Sequence, residues 1–100
     1  MSQKKKQQNK KAATESVQVS FTAIGWEDFE YWRAHDAKIH AGVCRLVGEC
    51  MRTPFEGVGK PEPLKGDLSG YWSRRITKEH RFVYHYGAGT LTVIACRFHY

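Results

Sequence analysis

The C-terminal half of the chain contains the residue types that acid–base chemistry on a phosphate ester needs. Cleavage of RNA through its ribose 2′-hydroxyl requires a base for that hydroxyl and an acid for the leaving 5′-oxygen. It also requires a cation for the charge that builds on the phosphoryl oxygens. The candidates in this half are Glu62; His80, His85 and His99; Arg74, Arg75, Arg81 and Arg97; and Lys65.

Other catalytic devices are missing from the sequence. It has no glycine-rich phosphate loop, no GxSxG motif and no HExxH motif. The carboxylates of the basic half are Glu56, Glu62, Asp67 and Glu79. They form no cluster of the kind that holds the ions of a metal-dependent nuclease. We therefore expect any nuclease chemistry here to proceed without a metal and without another cofactor.

The three cysteines, Cys44, Cys50 and Cys96, include no CxxC pair. An odd number without such a pair is typical neither of a disulfide framework nor of a zinc site. Two of them fall in a predicted helix and one in a predicted strand. We therefore expect all three to be buried, reduced thiols.

The formal net charge of +6 is unevenly distributed along the chain. Residues 1–16 and residues 51–100 each have a net charge of +4, whereas residues 17–50 have a net charge of −2. Because lysine and arginine neutralise phosphates, the basic C-terminal half suits a polyanionic partner. Excess charge also keeps small domains in solution, and composition alone does not separate the two interpretations.

The length of 100 residues and the 41% hydrophobic content fit one domain with one modest core. No apolar stretch approaches the roughly 20 residues that cross a bilayer, and no apolar segment follows the N-terminal lysines as in a signal peptide. We expect a soluble, cytoplasmic protein with no membrane contact. Residues 1–16 are polar and rich in lysine, which predicts a disordered tail ahead of a folded domain at 17–100.

The predicted elements follow the order βααβββ, an α+β fold. Alternating apolar and polar residues predict a strand at 17–21, and helical spacing predicts two helices, at 26–35 and about 36–51. Prolines and glycines interrupt regular structure at 53–70, and three further strands are predicted at 71–77, 80–86 and 90–98. We expect one largely antiparallel sheet with both helices packed on one face. The expected core side chains are Trp26, Phe29 and Trp32; Ile39, Val43, Leu46, Val47 and Cys50; and Thr92, Ile94 and Cys96.

Strand periodicity assigns the candidate residues to faces of this sheet, because side chains alternate along a strand. Arg81 and His85 should share one face of their strand, and Ser73 and Arg75 one face of theirs. Polar residues on the face opposite the helices would form an open, basic surface. Glu62 lies between two prolines, which hold it on a stiff, extended segment that suits a positioned base. Such a segment is also an ordinary way to cross a sheet edge.

Each candidate also has a structural interpretation. A single glutamate in a loop is usually a solvated charge, and histidines are mostly surface or hydrogen-bonded side chains. Terminal residues such as His99 and Tyr100 are ordinarily frayed. From residue types and spacing alone, the chain is a small α+β domain with a basic face that could bind RNA.

Longer motifs resemble the YoeB (Txe) toxin family. They are WEDFEYW at 26–32, RTPFEG at 52–57, GKPEPLK at 59–65, LSGYWSRRIT at 68–77, EHRFVY at 79–84 and ACRFHY at 95–100. The similarity runs without gaps from about Val17 to Tyr100. It implies a microbial RNase-like fold shared with RelE and ParE. It also implies a toxin that enters the A site of the 30S ribosome and cleaves the mRNA there.

The resemblance assigns roles to individual positions. Glu62 matches the family's general base and His99 its general acid. Arg81 matches the arginine that stabilises the transferring phosphoryl group, and Tyr100 matches the terminal residue that helps to shape the site. Two further matched residues, Lys65 and Arg75, support the phosphate or the base. Their basic neighbour Arg74 completes the predicted phosphate-binding set.

The resemblance also implies partners. These are a cognate, YefM-like antitoxin, operator DNA reached only through the antitoxin complex, and a second copy of the chain in a homodimer. A gyrase-directed toxin of the ParE kind and a non-catalytic, binding-only toxin are the alternatives, and the intact base, acid and arginine set argues against the first. Residues 1–16 are additional to the family pattern, and we expect their deletion to leave activity intact.

Overall fold

The computed structural model of the chain describes residues 16–99, and the predicted α+β fold is confirmed. The elements are β1 (Gln18–Phe21), α1 (Ala23–His35), α2 (Ala37–Arg52), β2 (Glu62–Pro63), a 3-10 turn (Gly66–Leu68), β3 (Trp72–Arg75), β4 (Arg81–Gly87) and β5 (Thr90–Ala95). One sheet has the strand order β1-β5-β4-β3-β2. β1 pairs with β5 in parallel and the other pairs are antiparallel. The predicted order βααβββ therefore lacks one short strand, β2.

Polar side chains set the starts of both helices. Thr22 Oγ1 accepts a hydrogen bond from Gly25 N at 2.9 Å and so caps α1, which begins three residues earlier than predicted. The Asp36 carboxylate accepts from Lys38 N and Ile39 N, each at 3.1 Å, and caps α2. Asp36 alone separates the two helices, so they fold back on each other as a tight pair.

The core lies between these helices and one face of the sheet. The predicted apolar face of α2 is confirmed, because Val43, Leu46 and Cys50 are buried and Ile39 and Val47 pack against them. The other buried members of this core are Trp32, Phe82, Tyr84, Leu91, Val93 and Cys96. Both helices therefore cover the same face of the sheet, as the sequence predicted, and leave the opposite face available.

The face assigned to the last strand was wrong. Leu91 and Val93 are fully buried, whereas Thr92 and Ile94 are only partly buried. Cys96 is in the core as predicted, but β5 ends at Ala95. The alternation of side chains between the two faces therefore stops before Cys96. Residues two and four positions before Cys96 lie on the face opposite to the core. Trp26 is a second error, since 51% of it is exposed at the start of α1.

The cysteines are free and differ in their surroundings. Cys50 and Cys96 are buried as predicted, but Cys44 is exposed on α2, so the prediction for Cys44 was wrong. Burial raises the pKa of the Cys50 thiol and raises that of Cys96 to about 12. These two thiols therefore stay protonated at neutral pH and serve as apolar packing groups.

The start of α1 lies so close to β5 that only glycine fits there. A Cβ atom on Gly25 would lie 2.4 Å from the Val93 carbonyl oxygen. We expect Gly25→Ala to lower the free energy of unfolding by about 1–3 kcal/mol through overpacking, despite the better helix propensity of alanine. Gly42→Ala is the matched control, because a Cβ at Gly42 meets nothing within 4 Å. In urea unfolding, the free energy of unfolding of this control should rise by about 0.5–1 kcal/mol. A similar rise for Gly25→Ala would contradict the packing argument.

Within residues 16–99, no helix is both long enough and apolar enough to cross a membrane. The predicted tail falls almost entirely on residues outside the described range, and so does Tyr100.

Candidate active site

The register of the strands places Glu62 on the face of the sheet that the helices leave available. Glu62 pairs with Ser73 on β3, and Ser73 pairs with Val83 on β4. Directly paired residues project from the same face, whereas Phe82 and Tyr84 point into the core on the other side. Ser73 and Val83 are buried at the middle of this row, while Glu62 is exposed at its edge.

The flanking prolines explain how β2 holds Glu62. Proline lacks an amide donor and is tolerated at sheet edges, and β2 is the edge strand of this sheet. The Leu64 amide donates to the Tyr71 carbonyl at 2.9 Å and continues the pairing beyond Pro63. The stiff segment predicted around Glu62 is thus a two-residue strand docked on β3. Lys65 follows it and is exposed beside the same edge.

Two arginines lie one step along the same face. Arg75 on β3 pairs directly with Arg81 on β4. Strand spacing puts the Cα atoms of Glu62 and Arg75 about 8 Å apart and those of Glu62 and Arg81 about 12 Å apart. Like charges directly opposite each other destabilise a sheet, and within residues 16–99 neither arginine forms a salt bridge. The arrangement is therefore suited to an anion that contacts both side chains.

The turn between β3 and β4 fixes the guanidinium of Arg81. Its Nη1 donates to the carbonyls of Thr77 at 2.9 Å, Lys78 at 3.1 Å and His80 at 3.2 Å. The backbone amide of Arg81 donates to the Phe98 carbonyl at 3.1 Å. Because His99 follows Phe98, it is exposed close to Arg81. The structure therefore places the backbone that leads into His99 next to the end of the open face that carries Arg75 and Arg81.

A shallow depression continues this face toward β5. Tyr71, His85, Thr92 and Ile94 line it, and its volume is about 240 Å³. Thr92 pairs with His85 in the β4–β5 register, so the two residues assigned to the core in error belong to the open face. His85 was predicted on the face of Arg81, and it does lie on the open face.

Arg74 requires a correction. It is fully buried, and its guanidinium donates to the carbonyls of Thr53, Glu56 at 2.9 Å and Val58 at 3.1 Å. Side-chain alternation puts it on the core face, opposite to Ser73 and Arg75. It cannot reach a phosphate on the open face in this structure, so its predicted role in phosphate binding was wrong. Instead it holds the 53–59 loop that leads to Glu62.

Side chains on α1 that the sequence did not single out hold the end of the chain. The Asp28 carboxylate accepts from Cys96 N at 3.0 Å, and Trp32 Nε1 donates to the Cys96 carbonyl at 2.8 Å. The Arg97 guanidinium lies over the Tyr31 ring, 3.5 Å from its centroid. Sequence analysis missed these contacts because they join residues more than sixty positions apart, and the aromatic motif at 26–32 was their only signal.

The contact between Asp28 on α1 and the Cys96 amide should depend on pH. Desolvation by burial raises the pKa of Asp28 above its ordinary value of 3.8 and outweighs the lowering effect of the Cys96 hydrogen bond. The folded state therefore binds the proton more tightly. The resulting stability is fully present below the unfolded pKa and is lost as pH rises through the folded pKa.

We expect Asp28→Asn, which keeps an acceptor without the charge, to be at least as stable as the wild type at pH 7. Its free energy of unfolding should also not fall as the pH rises above the ordinary pKa of aspartate. Asp28→Ala leaves the Cys96 amide without its acceptor and should cost about 1–3 kcal/mol. Thermal unfolding at acidic and neutral pH measures both, and an Asp28→Asn variant as unstable as Asp28→Ala would contradict the assignment.

Within the described part of the chain, no three His, Cys, Asp or Glu side chains converge in a group that could hold a metal ion.

Known proteins are similar to this chain in both sequence and fold. Residues 21–100 match the family described as "YoeB-like toxin of bacterial type II toxin-antitoxin system". Toxin YoeB of Escherichia coli (strain K12) is 53% identical over 84 residues, which are 84% of this chain and 100% of the relative. The solved YoeB/ParE toxin from Agrobacterium tumefaciens has a TM-score of 0.81 at 53% identity and covers 84% of this chain and 100% of its own.

Two solved structures of Staphylococcus aureus YoeB also superpose on this chain. One is a YoeB dimer with a TM-score of 0.79, and the other is a heterotetrameric YoeB–YefM toxin–antitoxin complex with a TM-score of 0.78. Each is 36% identical and covers 84% of this chain and 98% of the solved one. The family match spans both helices and strands β2 to β5. The chain therefore belongs to the YoeB-like toxins of bacterial type II toxin–antitoxin systems.

Proposed function

We propose that this toxin is an endoribonuclease that cleaves mRNA in the ribosomal A site and so stops translation. The observation that carries the proposal is the cross-strand pair Arg75–Arg81 on the face that also holds Glu62. Two cations directly opposite each other cost stability in a free protein. An anion bound between them, here the scissile phosphate, would offset that cost.

In the proposed reaction, side chains of this chain supply the base, the acid and the cations. Glu62 takes the proton from the ribose 2′-hydroxyl, whose oxygen attacks the adjacent phosphorus. The bond from phosphorus to the 5′-oxygen breaks, and His99 donates a proton to that oxygen. Arg81 stabilises the charge on the phosphoryl oxygens, Arg75 and Lys65 support the phosphate, and Tyr100 shapes the site.

The way in which the backbone positions these groups supports the same mechanism. Glu62 is mounted on a strand between two prolines, and Nη1 of Arg81 is fixed by three backbone carbonyls. Catalytic groups that are already in position lose little conformational entropy when substrate binds. This preorganisation supplies much of the rate enhancement in such sites. The net charge of +4 on residues 51–100 suits ribosomal RNA and mRNA alike.

We further propose that the partners follow those of the relatives. A YefM-like antitoxin would bind the toxin, and two copies of the toxin would form a dimer. Operator DNA would be reached only through the antitoxin complex. A ribosome-dependent nuclease acts in the cytoplasm, where the chain is expected to remain.

Primer extension on a reporter mRNA in a translation extract tests the proposal. Wild-type protein should produce cuts within codons that appear only when ribosomes are present, and His99→Ala should abolish them. His35→Ala is the matched control and should cut like the wild type, because His35 is exposed on α1, the helix that covers the face of the sheet opposite to Glu62.

The other outcomes discriminate between functions. Translation arrest with intact mRNA would replace the proposal with a target other than mRNA or with a binding-only toxin, gyrase inhibition included. Cuts that persist in His99→Ala would remove His99 as the acid while leaving the nuclease assignment in place.

A further inference from the structure

Most of the contacts that hold the end of the chain come from residues outside the proposed catalytic set. After β5 ends at Ala95, the backbone of Cys96 is bound on both sides by α1. Phe98 is bound next, through its own amide and carbonyl. These contacts fix the three residues that lead directly to His99.

His80 provides the contact nearest to His99. Its Nδ1 accepts a hydrogen bond from the Phe98 amide at 2.7 Å. The next residue along the chain, Arg81, donates its own amide to the Phe98 carbonyl at 3.1 Å. Both polar backbone groups of Phe98 are therefore occupied by consecutive residues at the start of β4. The same short stretch carries the arginine of the site and sets the position of the acid.

The backbone at Phe98 shows why this contact matters. Phe98 has a φ of +65°, the left-handed conformation that is strained for a residue with a side chain. Such a conformation persists only where its surroundings over-determine it. Because His99 directly follows Phe98, loss of the hydrogen bonds on either side of this turn would let the backbone relax and shift His99.

The geometry also determines which form of His80 is present. A backbone amide can only donate, so Nδ1 must be the unprotonated acceptor, and the neutral ring then carries its proton on Nε2. The ring is held edge-on against Trp32, with centroids 4.7 Å apart. Trp32 is itself hydrogen-bonded to the Cys96 carbonyl. The ring is thus fixed by packing, and its acceptor atom is aimed at Phe98.

We propose that His80 is a positioning residue for the reaction, one that holds His99 in place through the Phe98 amide without itself contacting substrate. The proposal rests on the proposed nuclease function, in which His99 is the acid. Misplacement of a catalytic group by about 1 Å costs roughly 10²-fold in rate. Loss of the Nδ1 acceptor should therefore lower the cleavage rate by about that factor, with little change in ribosome affinity.

Two substitutions separate the hydrogen bond from the packing of the ring. His80→Asn places an amide oxygen where Nδ1 lies and removes the ring. His80→Phe keeps a ring of similar size against Trp32 and removes the acceptor. We expect His80→Asn to cleave within a few-fold of wild type and His80→Phe to lose about 10²-fold.

The measurements are single-turnover cleavage on programmed ribosomes over a range of ribosome concentrations, and amide hydrogen exchange at Phe98 followed by NMR. The rate at saturation should fall in His80→Phe while the half-saturating concentration stays constant. The Phe98 amide should exchange faster in the same variant and remain protected in His80→Asn. Thermal unfolding of both variants identifies any general loss of fold.

Full activity in His80→Phe, or an His80→Asn variant as inactive as His80→Phe, would overturn the proposal. So would an unchanged exchange rate at Phe98 in His80→Phe. If the wild type itself leaves ribosome-bound mRNA intact, the proposed function is wrong. The exchange measurement, which needs no activity, then still decides whether His80 fixes the terminus.

Discussion

Replacement of Glu62 by glutamine is expected to lower the rate of mRNA cleavage by about 10²–10⁴-fold, the usual contribution of a positioned general base. Glutamine has nearly the shape of glutamate, but its amide cannot accept the proton of the ribose 2′-hydroxyl. The side chain is exposed on the edge strand β2, so its change should not disturb the core. The fall should therefore appear in the single-turnover rate at saturating ribosomes, with thermal stability unchanged.

Glu56→Gln is the matched control for this experiment. Glu56 is exposed in the loop that precedes β2, and the change removes the same charge from the same basic half of the chain. A loss of activity that came from net charge alone would appear in both variants. Cleavage by Glu62→Gln at the rate of Glu56→Gln would show that another group takes the proton.

Local patterns in the sequence were sufficient to predict much of the fold. The apolar spacing of α2 identified its buried face, because every third or fourth residue of a helix meets the same neighbour. The prolines around Glu62 predicted an extended, rigid segment, because their rings restrict the backbone whatever the tertiary context. What they could not indicate was the partner, β3, that turns this segment into a strand.

The errors share a physical cause. The faces of β5 depend on where the strand ends, and no residue near Ala95 marks that end in the sequence. Alternation along β3 already put the adjacent residues Arg74 and Arg75 on opposite faces, but it did not show which face is the core. The pairing of β3 with β4 shows that Arg74 points into the core and Arg75 toward the open face. Long-range pairing therefore decides which arginine can meet a phosphate.

The site could be predicted only in outline for the same reason. Residue types supplied a base, an acid and cations, but the contacts that position them join α1 and the β3–β4 turn to the end of the chain. Asp28 and Cys96 are 68 positions apart, and His80 and Phe98 are 18 apart. No periodicity connects such pairs, so the anchoring residues became visible only in three dimensions.

Arg74→Met, a change on β3, is expected to destabilise the fold strongly because Arg74 holds the loop before β2. The guanidinium is fully buried and donates to three loop carbonyls and, through Nε at 3.3 Å, to Tyr84 Oη. Tyr84 in turn donates to the Pro54 carbonyl at 2.6 Å. Burial raises the pKa of Tyr84 to about 12, so its hydroxyl keeps the proton that this bond requires.

Methionine fills part of the space but satisfies none of these acceptors. Each buried polar group left without a partner costs about 1–3 kcal/mol. Because the loop residues that carry the carbonyls are partly or fully exposed, we expect the free energy of unfolding in urea to fall by a total of about 3 kcal/mol. Arg74→Lys should recover only part of it, because a single ammonium group cannot span carbonyls that the planar guanidinium reaches together. Glu62 follows this loop, so the variant should also lose cleavage activity.

Arg75→Met tests the other half of the argument. Arg75 is exposed on the open face beside Arg81, and its removal relieves a repulsion between like charges. Its stability should stay within about 0.5 kcal/mol of the wild type, or rise, while cleavage falls because the phosphate loses a cation. The two adjacent arginines should thus differ in stability: Arg74→Met should lose both stability and activity, whereas Arg75→Met should lose activity alone. An Arg74→Met variant as stable as Arg75→Met would show that the buried guanidinium does not hold the loop.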